Sequence, residues 1–168
     1  ERHFWYRGLR RLVEDQVGRV ARSGASPLRI LDAGCGTGGM TQRLALHGRV
    51  TALDYSPLAL DLARQRGSWG WTRGSVERLP YRSEIFDMVV SLDVLYHRGV
   101  ESDLAALREF RRCLRPGGSL GFKGPEQMRA VRDGLVPMAD VLTSQQIGDE
   151  PMFGTEGSGH MRMNIGAP

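Results

Sequence analysis

The sequence predicts an α/β fold, a three-layer α/β/α sandwich with a mainly parallel sheet, and three observations carry that expectation. Short apolar runs alternate with segments of helical period between Leu28 and Lys123, the pattern of strands joined by crossover helices. The first run empties into a cluster of glycines, as a buried strand entering a tight turn does. Gly34, Asp54, Gly74 and Asp93 stand at the ends of successive runs, and right-handed crossovers would gather them on one edge of the sheet, where ligands bind.

The elements follow in order. From Phe4 to Val20 the residues Leu9, Leu12, Val13, Val17 and Val20 recur at helical steps, and Ser23-Gly24-Ala25-Ser26-Pro27 ends that helix. Leu28 to Ala33 reads as a buried strand. After the glycines, Met40, Leu44 and His47 keep a helical spacing as far as Gly48, and Val50 to Leu53 is a second strand ending at Asp54. Ser56-Pro57 is an N-cap with proline at the first helical position, where its missing N–H costs nothing. Leu58, Leu62 and Ala63 are expected to form the buried stripe of that helix. Trp71 to Gly74 is a short third strand, and Phe86 to Leu92 a β-branched, apolar fourth. Between Glu101 and Arg115, the residues Leu104, Leu107, Phe110 and Leu114 should face inward, with acids in the first turn and arginines in the last. Pro116-Gly117-Gly118 is expected to stop this helix, and Ser119 to Lys123 to form the fifth strand.

Composition narrows the classes. An apolar fraction of 40% with 25% charged residues is that of an ordinary globular domain. No apolar run approaches the roughly 18 residues of a membrane span, and Glu1 to Arg11 is charged where a signal peptide would be apolar, so a cytoplasmic protein without a membrane partner is expected. Cys35 and Cys113 match no metal spacing and are expected as free thiols, with no metal site. The net charge of +4 comes from arginines scattered through every segment, Lys123 being the only lysine, so no nucleic-acid partner is expected. Arg7, Arg10 and Arg11 share one helical face and read as a solvated one. A monomer is the default.

The glycine turn reads Asp32-Ala33-Gly34-Cys35-Gly36-Thr37-Gly38-Gly39. Gly34, Gly36 and Gly39 satisfy a dinucleotide-binding pattern, and Asp54 follows at the distance of a ribose-binding acid, so this string alone leaves a nicotinamide-dependent oxidoreductase open. The wider string resembles motif I of class I S-adenosylmethionine-dependent methyltransferases. Val50 to Pro57, Gly74-Ser75-Val76-Glu77-Arg78-Leu79-Pro80, Phe86 to Leu92 and Leu114-Arg115-Pro116-Gly117-Gly118 resemble their later motifs in the same order. The Trp5-Tyr6-Arg7-Gly8 entry also resembles bacterial members.

This resemblance implies a Rossmann-like domain over residues 1–125 that binds S-adenosylmethionine and transfers its methyl group to a small-molecule acceptor. It implies a cofactor site of Asp32, Gly34, Cys35, Gly36, Gly38, Asp54, Tyr55, Ser75, Val76 and Leu92. Asp54 would accept from the ribose hydroxyls, the backbone at Gly34 and Gly36 would approach the amino-acid portion, and Asp32 would add negative potential. Many relatives carry Asp where this chain has Ser75, so the contact to the adenine amine would be weaker. Trp69 and Trp71 are expected in the core rather than on the adenine ring. Methyl transfer needs no universal catalytic residue; Tyr96 and His97 stand beyond the fourth strand, where His97 could take a proton.

After Pro125 the resemblance fails. Residues 126–168 lack a convincing strand pair, so the sheet is expected to be incomplete at that end, and a domain that binds the cofactor without transferring its methyl is the alternative. Gly154 to Asn164 resembles a short stretch of pyridoxal-phosphate-dependent aminotransferases, with Arg162 at the carboxylate-binding position, but the large domain such an activity needs is absent from this sequence. The abrupt loss of pattern, in a chain that starts without methionine, points to a truncated or mis-joined reading frame.

Overall fold

Alternation of apolar runs and helical segments resolves, in a computed structural model, into five strands and the helices that join them. The structure describes residues 13–14, 17–18, 20–21 and 27–122. Expectations for the N-terminal entry, Lys123, residues 126–168 and Arg162 lie outside these residues. In chain order the elements are β1 (Leu28–Ala33), α1 (Gly39–Leu44), β2 (Gly48–Asp54), α2 (Pro57–Arg64), β3 (Gly70–Arg73), β4 (Phe86–Ser91), α3 (Asp103–Cys113) and β5 (Leu114–Phe122). The strands form one parallel sheet in the order β3-β2-β1-β4-β5.

β1 lies at the centre, and its register sets both faces. Leu28 and Ile30 meet Val50, Met88 and Val90 on one face, where Leu44 of α1 and the helical residues Val13 and Val17 cover them. Leu31 and Ala33 meet Leu53 and Val89 on the other, under Ala106, Leu107, Phe110 and Cys113 of α3. Two buried faces explain why β1 and β4 read as nearly continuous apolar runs. Helices cover both faces, as a three-layer α/β fold requires.

Three local expectations are corrected. On α2 the buried residues are Leu60 and Ala63, whereas Leu58 is 69% and Leu62 45% exposed. This helix has only two turns and is apolar nearly all round, so periodicity could not choose its face. α3 stops at Cys113, before the proline, with Leu104 only partly buried, and Leu114 already pairs with Phe86. The Pro116-Gly117-Gly118 segment is an irregularity within β5: Phe86 faces Leu114, Met88 faces Ser119, and Gly117 has a φ of 76°. A bulge suits proline, which brings no N–H to the ladder. Arg115 in the bulge pairs with Asp87, the β4 residue it skirts. The Ser56 cap is as expected, its hydroxyl accepting from Ala59 N at 3.2 Å, and Ser102 caps α3 in the same way, accepting from Ala105 N at 3.2 Å.

Candidate functional site

The carboxyl ends of β1, β2, β3 and β4 open onto a cavity of about 360 Å³. Gly34, Gly36, Asp54, Tyr55, Ser75, Val76 and Leu92, all in the sequence-derived cofactor set, line it, and so does His97. Asp32, Cys35 and Gly38 do not stand among its walls.

The turn after β1 is shaped by its partners in β2. Gly34 N and Cys35 N both donate to the Leu53 carbonyl, at 2.7 and 2.9 Å, so these amides point into the sheet and not at a ligand. Gly36 N donates to Asp54 Oδ2 at 2.7 Å, and Ser56 N to Asp54 Oδ1 at 2.8 Å. These two bonds fix the carboxylate. A carboxylate has about four acceptor sites, so two remain for a pair of neighbouring hydroxyls. Gly36 has a φ of 53°, and no atom lies within 4 Å of where its Cβ would stand, so the turn keeps open space beside that carboxylate.

The other turn residues serve the frame. Asp32 is 2% exposed and accepts from Thr41 Oγ1 at 2.6 Å, a clasp between β1 and α1. Burial pushes its carboxyl up to about 6 against the Thr41 bond, and the charge on Asp54 adds to the rise. Cys35 is buried with Ala52 and Leu60; burial first, then the charges of Asp32 and Asp54, push its thiol well above the usual range, so it is inert near neutrality. Both cysteines are free. Gly38 has a φ of 78°, and a Cβ there would stand 3.1 Å from Ala63 and Trp71, so it lets the turn pack against α2 and β3. Trp71 packs on the same cluster as Cys35 and meets Trp69 edge to face, with centroids 5.5 Å apart. Neither ring lines the cavity.

The third wall is the segment after β3. The Ser75 hydroxyl accepts from Glu77 N at 3.2 Å and still has its proton to donate. Long-range bonds to α3 hold this segment. Glu77 Oε1 accepts from Ser102 N at 2.7 Å, and Glu109 Oε2 from Leu79 N at 2.8 Å. Arg112 donates to the carbonyls of Tyr81 and Leu79 at 2.8 and 3.2 Å while pairing with Glu109. The Arg112 bond, opposed by desolvation, holds the Glu109 carboxyl below the usual carboxylate range. Nothing local in the sequence announces these bonds, since the partners lie 25 to 33 residues apart.

The fourth wall carries residues that sequence reasoning left unassigned. Asp93, Val94, Gly99 and Val100 line the cavity, as do Ser56 and Gly74 on the opposite side. The legible signal was position, because Asp93 stands two residues beyond the end of β4. His97 Nδ1 accepts from Gly99 N at 3.2 Å. The Tyr96 hydroxyl, outside the walls, donates to Asp93 Oδ1 at 2.6 Å. Among the described residues no cluster of three metal-ligating side chains occurs, and no helix is long and apolar enough to cross a membrane.

A cavity with these walls, at the carboxyl edge of a parallel sheet centred on its first strand, is the arrangement in which open α/β domains take nucleoside-containing cofactors. Residues 31–122, more than half of the chain, match the methyltransferase domain family, and the chain belongs to that family, within the class I S-adenosylmethionine-dependent methyltransferases. It is 40% identical over 116 residues to a malonyl-[acyl-carrier protein] O-methyltransferase of Erwinia pyrifoliae, a match covering 68% of this chain and 43% of the relative. It is 37% identical over 127 residues to a ubiquinone biosynthesis O-methyltransferase of Methylocella silvestris, covering 70% of this chain and 45% of the relative. An amino pentose methyltransferase from Micromonospora echinaspora, solved with S-adenosylmethionine, superposes with a TM-score of 0.59 at 28% identity, over 71% of this chain and 50% of that one. The chain thus spans about half the length of the relatives it matches or somewhat less.

Proposed function

We propose that this domain binds S-adenosylmethionine in the cavity at the carboxyl edge and transfers its methyl group to a small-molecule acceptor. The observation that carries the reading is Asp54, whose carboxylate is fixed by Gly36 N and Ser56 N beside open space and retains acceptor sites for a ribose diol. Gly34 and Gly36 would let the cofactor lie against the backbone, and Ser75 and Val76 would bound its adenine. Tyr55 and Leu92 would complete the cofactor site, with Asp32, Cys35 and Gly38 supporting it from behind. When bound, the cofactor supplies an electrophilic methyl group on a sulfonium; the protein's part is to hold the acceptor in line and limit access of water.

The relatives named above carry names with different acceptors, a malonyl-[acyl-carrier protein] and an amino pentose among them, so their acceptors do not transfer to this chain, and a small molecule is the class we adopt. In this reading residues 1–125 form the cofactor domain of a cytoplasmic monomer, and 126–168 an atypical C-terminal segment. The test is calorimetric titration of the full chain with S-adenosylhomocysteine. Asp54→Asn removes the charge and one strong acceptor, and a hydrogen bond to a charged group is worth about 1.5–3 kcal/mol, so affinity is expected to fall by about tenfold or more. An unchanged affinity in a folded variant would refute the assignment of Asp54.

A further inference from the structure

We propose that Glu77 is a positioning residue for the cofactor: by capping α3 from the segment after β3, it sets the spacing of two walls of the cavity; the inference rests on the methyltransferase reading above. Topology creates the need. Ser75 and Val76 follow β3, at the edge of the sheet, whereas Val94, Gly99 and Val100 follow β4, on the far side of β1. Neighbouring strands lie about 4.8 Å apart, so the ends of β3 and β4 are about 14 Å from each other. No strand pairing joins these two walls directly.

The chain between them is extended. Residues 74–85, all described, pass from β3 to β4 without a helix, so their backbone N–H and C=O groups need partners from elsewhere. α3 supplies several of them. Glu109 accepts from Leu79 N, and Arg112 donates to the carbonyls of Leu79 and Tyr81. Val76 and Leu79 are buried in the same cluster as Ala106, Leu107 and Phe110. In those bonds side chains of the helix reach the backbone of the segment. The bond nearest the cavity runs the other way, because Glu77 reaches from the segment to the backbone of Ser102, its Oε1 accepting from Ser102 N at 2.7 Å.

That bond completes a helix cap made in two pieces. In a capping box the N-cap serine accepts from the N–H at the third helical position, and a Glu or Gln at that position reaches back to the N–H of the serine. Ser102 makes the first bond, with Ala105 N at 3.2 Å, but the methyl group of Ala105 cannot return the second. Glu77 returns it from 25 residues away. Its own N donates to Ser75 Oγ and it adjoins Val76, both in one wall, while Ser102 lies two residues beyond Val100 in the other. One carboxylate thus ties both walls to the start of α3. Since Gln serves a capping box as Glu does, the role depends on an oxygen at that reach and not on its charge.

The experiment measures S-adenosylhomocysteine affinity by calorimetry, and the thermal midpoint without ligand, for the full chain and its variants. Glu77→Ala should bind about tenfold more weakly. Glu77→Gln, which keeps the reach and loses the charge, should stay within about threefold of the natural chain, and Glu77→Asp, which keeps the charge but is one methylene shorter, should fall with Glu77→Ala. Ser102→Ala keeps the N–H that Glu77 holds and loses the other half of the cap, so its midpoint should drop by about 2–4 °C with affinity within about threefold. The Gln and Asp variants decide the matter even where Glu77→Ala does not fold. The inference is overturned if Glu77→Asp binds as well as Glu77→Gln, or if Glu77→Ala binds as the natural chain does. It is overturned too if Ser102→Ala loses as much affinity as Glu77→Ala, because binding would then follow stability alone. Failure of the natural chain to bind S-adenosylhomocysteine is a separate result: it removes the methyltransferase reading, and the cofactor role of Glu77 with it.

Discussion

Replacing Gly34 by alanine is expected to cost about 2–5 kcal/mol of stability and to abolish binding of S-adenosylhomocysteine. Two independent terms add. The residue sits at a φ of 85°, where a side chain costs about 1–2 kcal/mol. A Cβ there would also stand 2.2 Å from Val94 Cγ2 and 2.9 Å from Cγ1, and relief of such overpacking costs about 1–3 kcal/mol. Relief has to come from movement of Val94 or of the turn itself, and both line the cavity. Urea unfolding of Gly34→Ala, Val94→Ala and the double variant separates the terms. With Val94 cut back, its nearest atom is Cβ at 3.1 Å, so the double variant should recover the packing share and keep the backbone share. Strictly additive losses would mean that the contact between Gly34 and Val94 does not exist in solution.

The second large effect is the pH dependence that Asp32 imposes. Its folded-state carboxyl titrates near 6, above the ordinary 3.8, so the folded form binds its proton more tightly than the unfolded chain does. Stability from this group is therefore complete below about pH 4 and lost as the pH rises through about 6. About two units at 1.4 kcal/mol each make the loss about 3 kcal/mol. Asn in place of Asp32 keeps an oxygen for the Thr41 hydroxyl but cannot ionise. Relative to the natural chain, Asp32→Asn should gain about 3 kcal/mol between pH 4 and pH 7 in urea unfolding curves. Parallel stability profiles for the two proteins would show that Asp32 is not a buried, ionising group.

How much of this was legible in the sequence depended on the range of the determining interaction. β1 matches its expected span because five of its six residues are buried and the glycines fix its end. The Asp54 position was legible because a strand end and a glycine turn, both local features, define it. The face of α2 was not, because Leu58, Leu60 and Leu62 are equally apolar and only the packing of Ala63 against the Gly38 turn selects among them. The fifth strand was misjudged where Pro116-Gly117-Gly118 reads locally as a break, whereas pairing with β4 carries the strand through it as a bulge. The clasp of Glu77, Glu109 and Arg112 was invisible for the same reason: its partners meet only once α3 has packed on the sheet. Motif resemblance named Asp32, Cys35 and Gly38 beside Gly34 and Gly36; Gly34 and Gly36 line the cavity, whereas Asp32 is buried against Thr41, Cys35 packs with Ala52 and Leu60, and Gly38 packs on Ala63 and Trp71, contacts that form only once the helices meet the sheet.

The glycine turn and the Asp54 carboxylate are features that nucleotide-binding α/β domains of several chemistries share, and the central claim is that here they select S-adenosylmethionine. Parallel calorimetric titrations of the full chain with S-adenosylhomocysteine and with NADH test it most directly. Saturable binding of S-adenosylhomocysteine and no heat from NADH over the same concentrations are expected. Binding of NADH in preference, or a folded chain that takes neither, would contradict it.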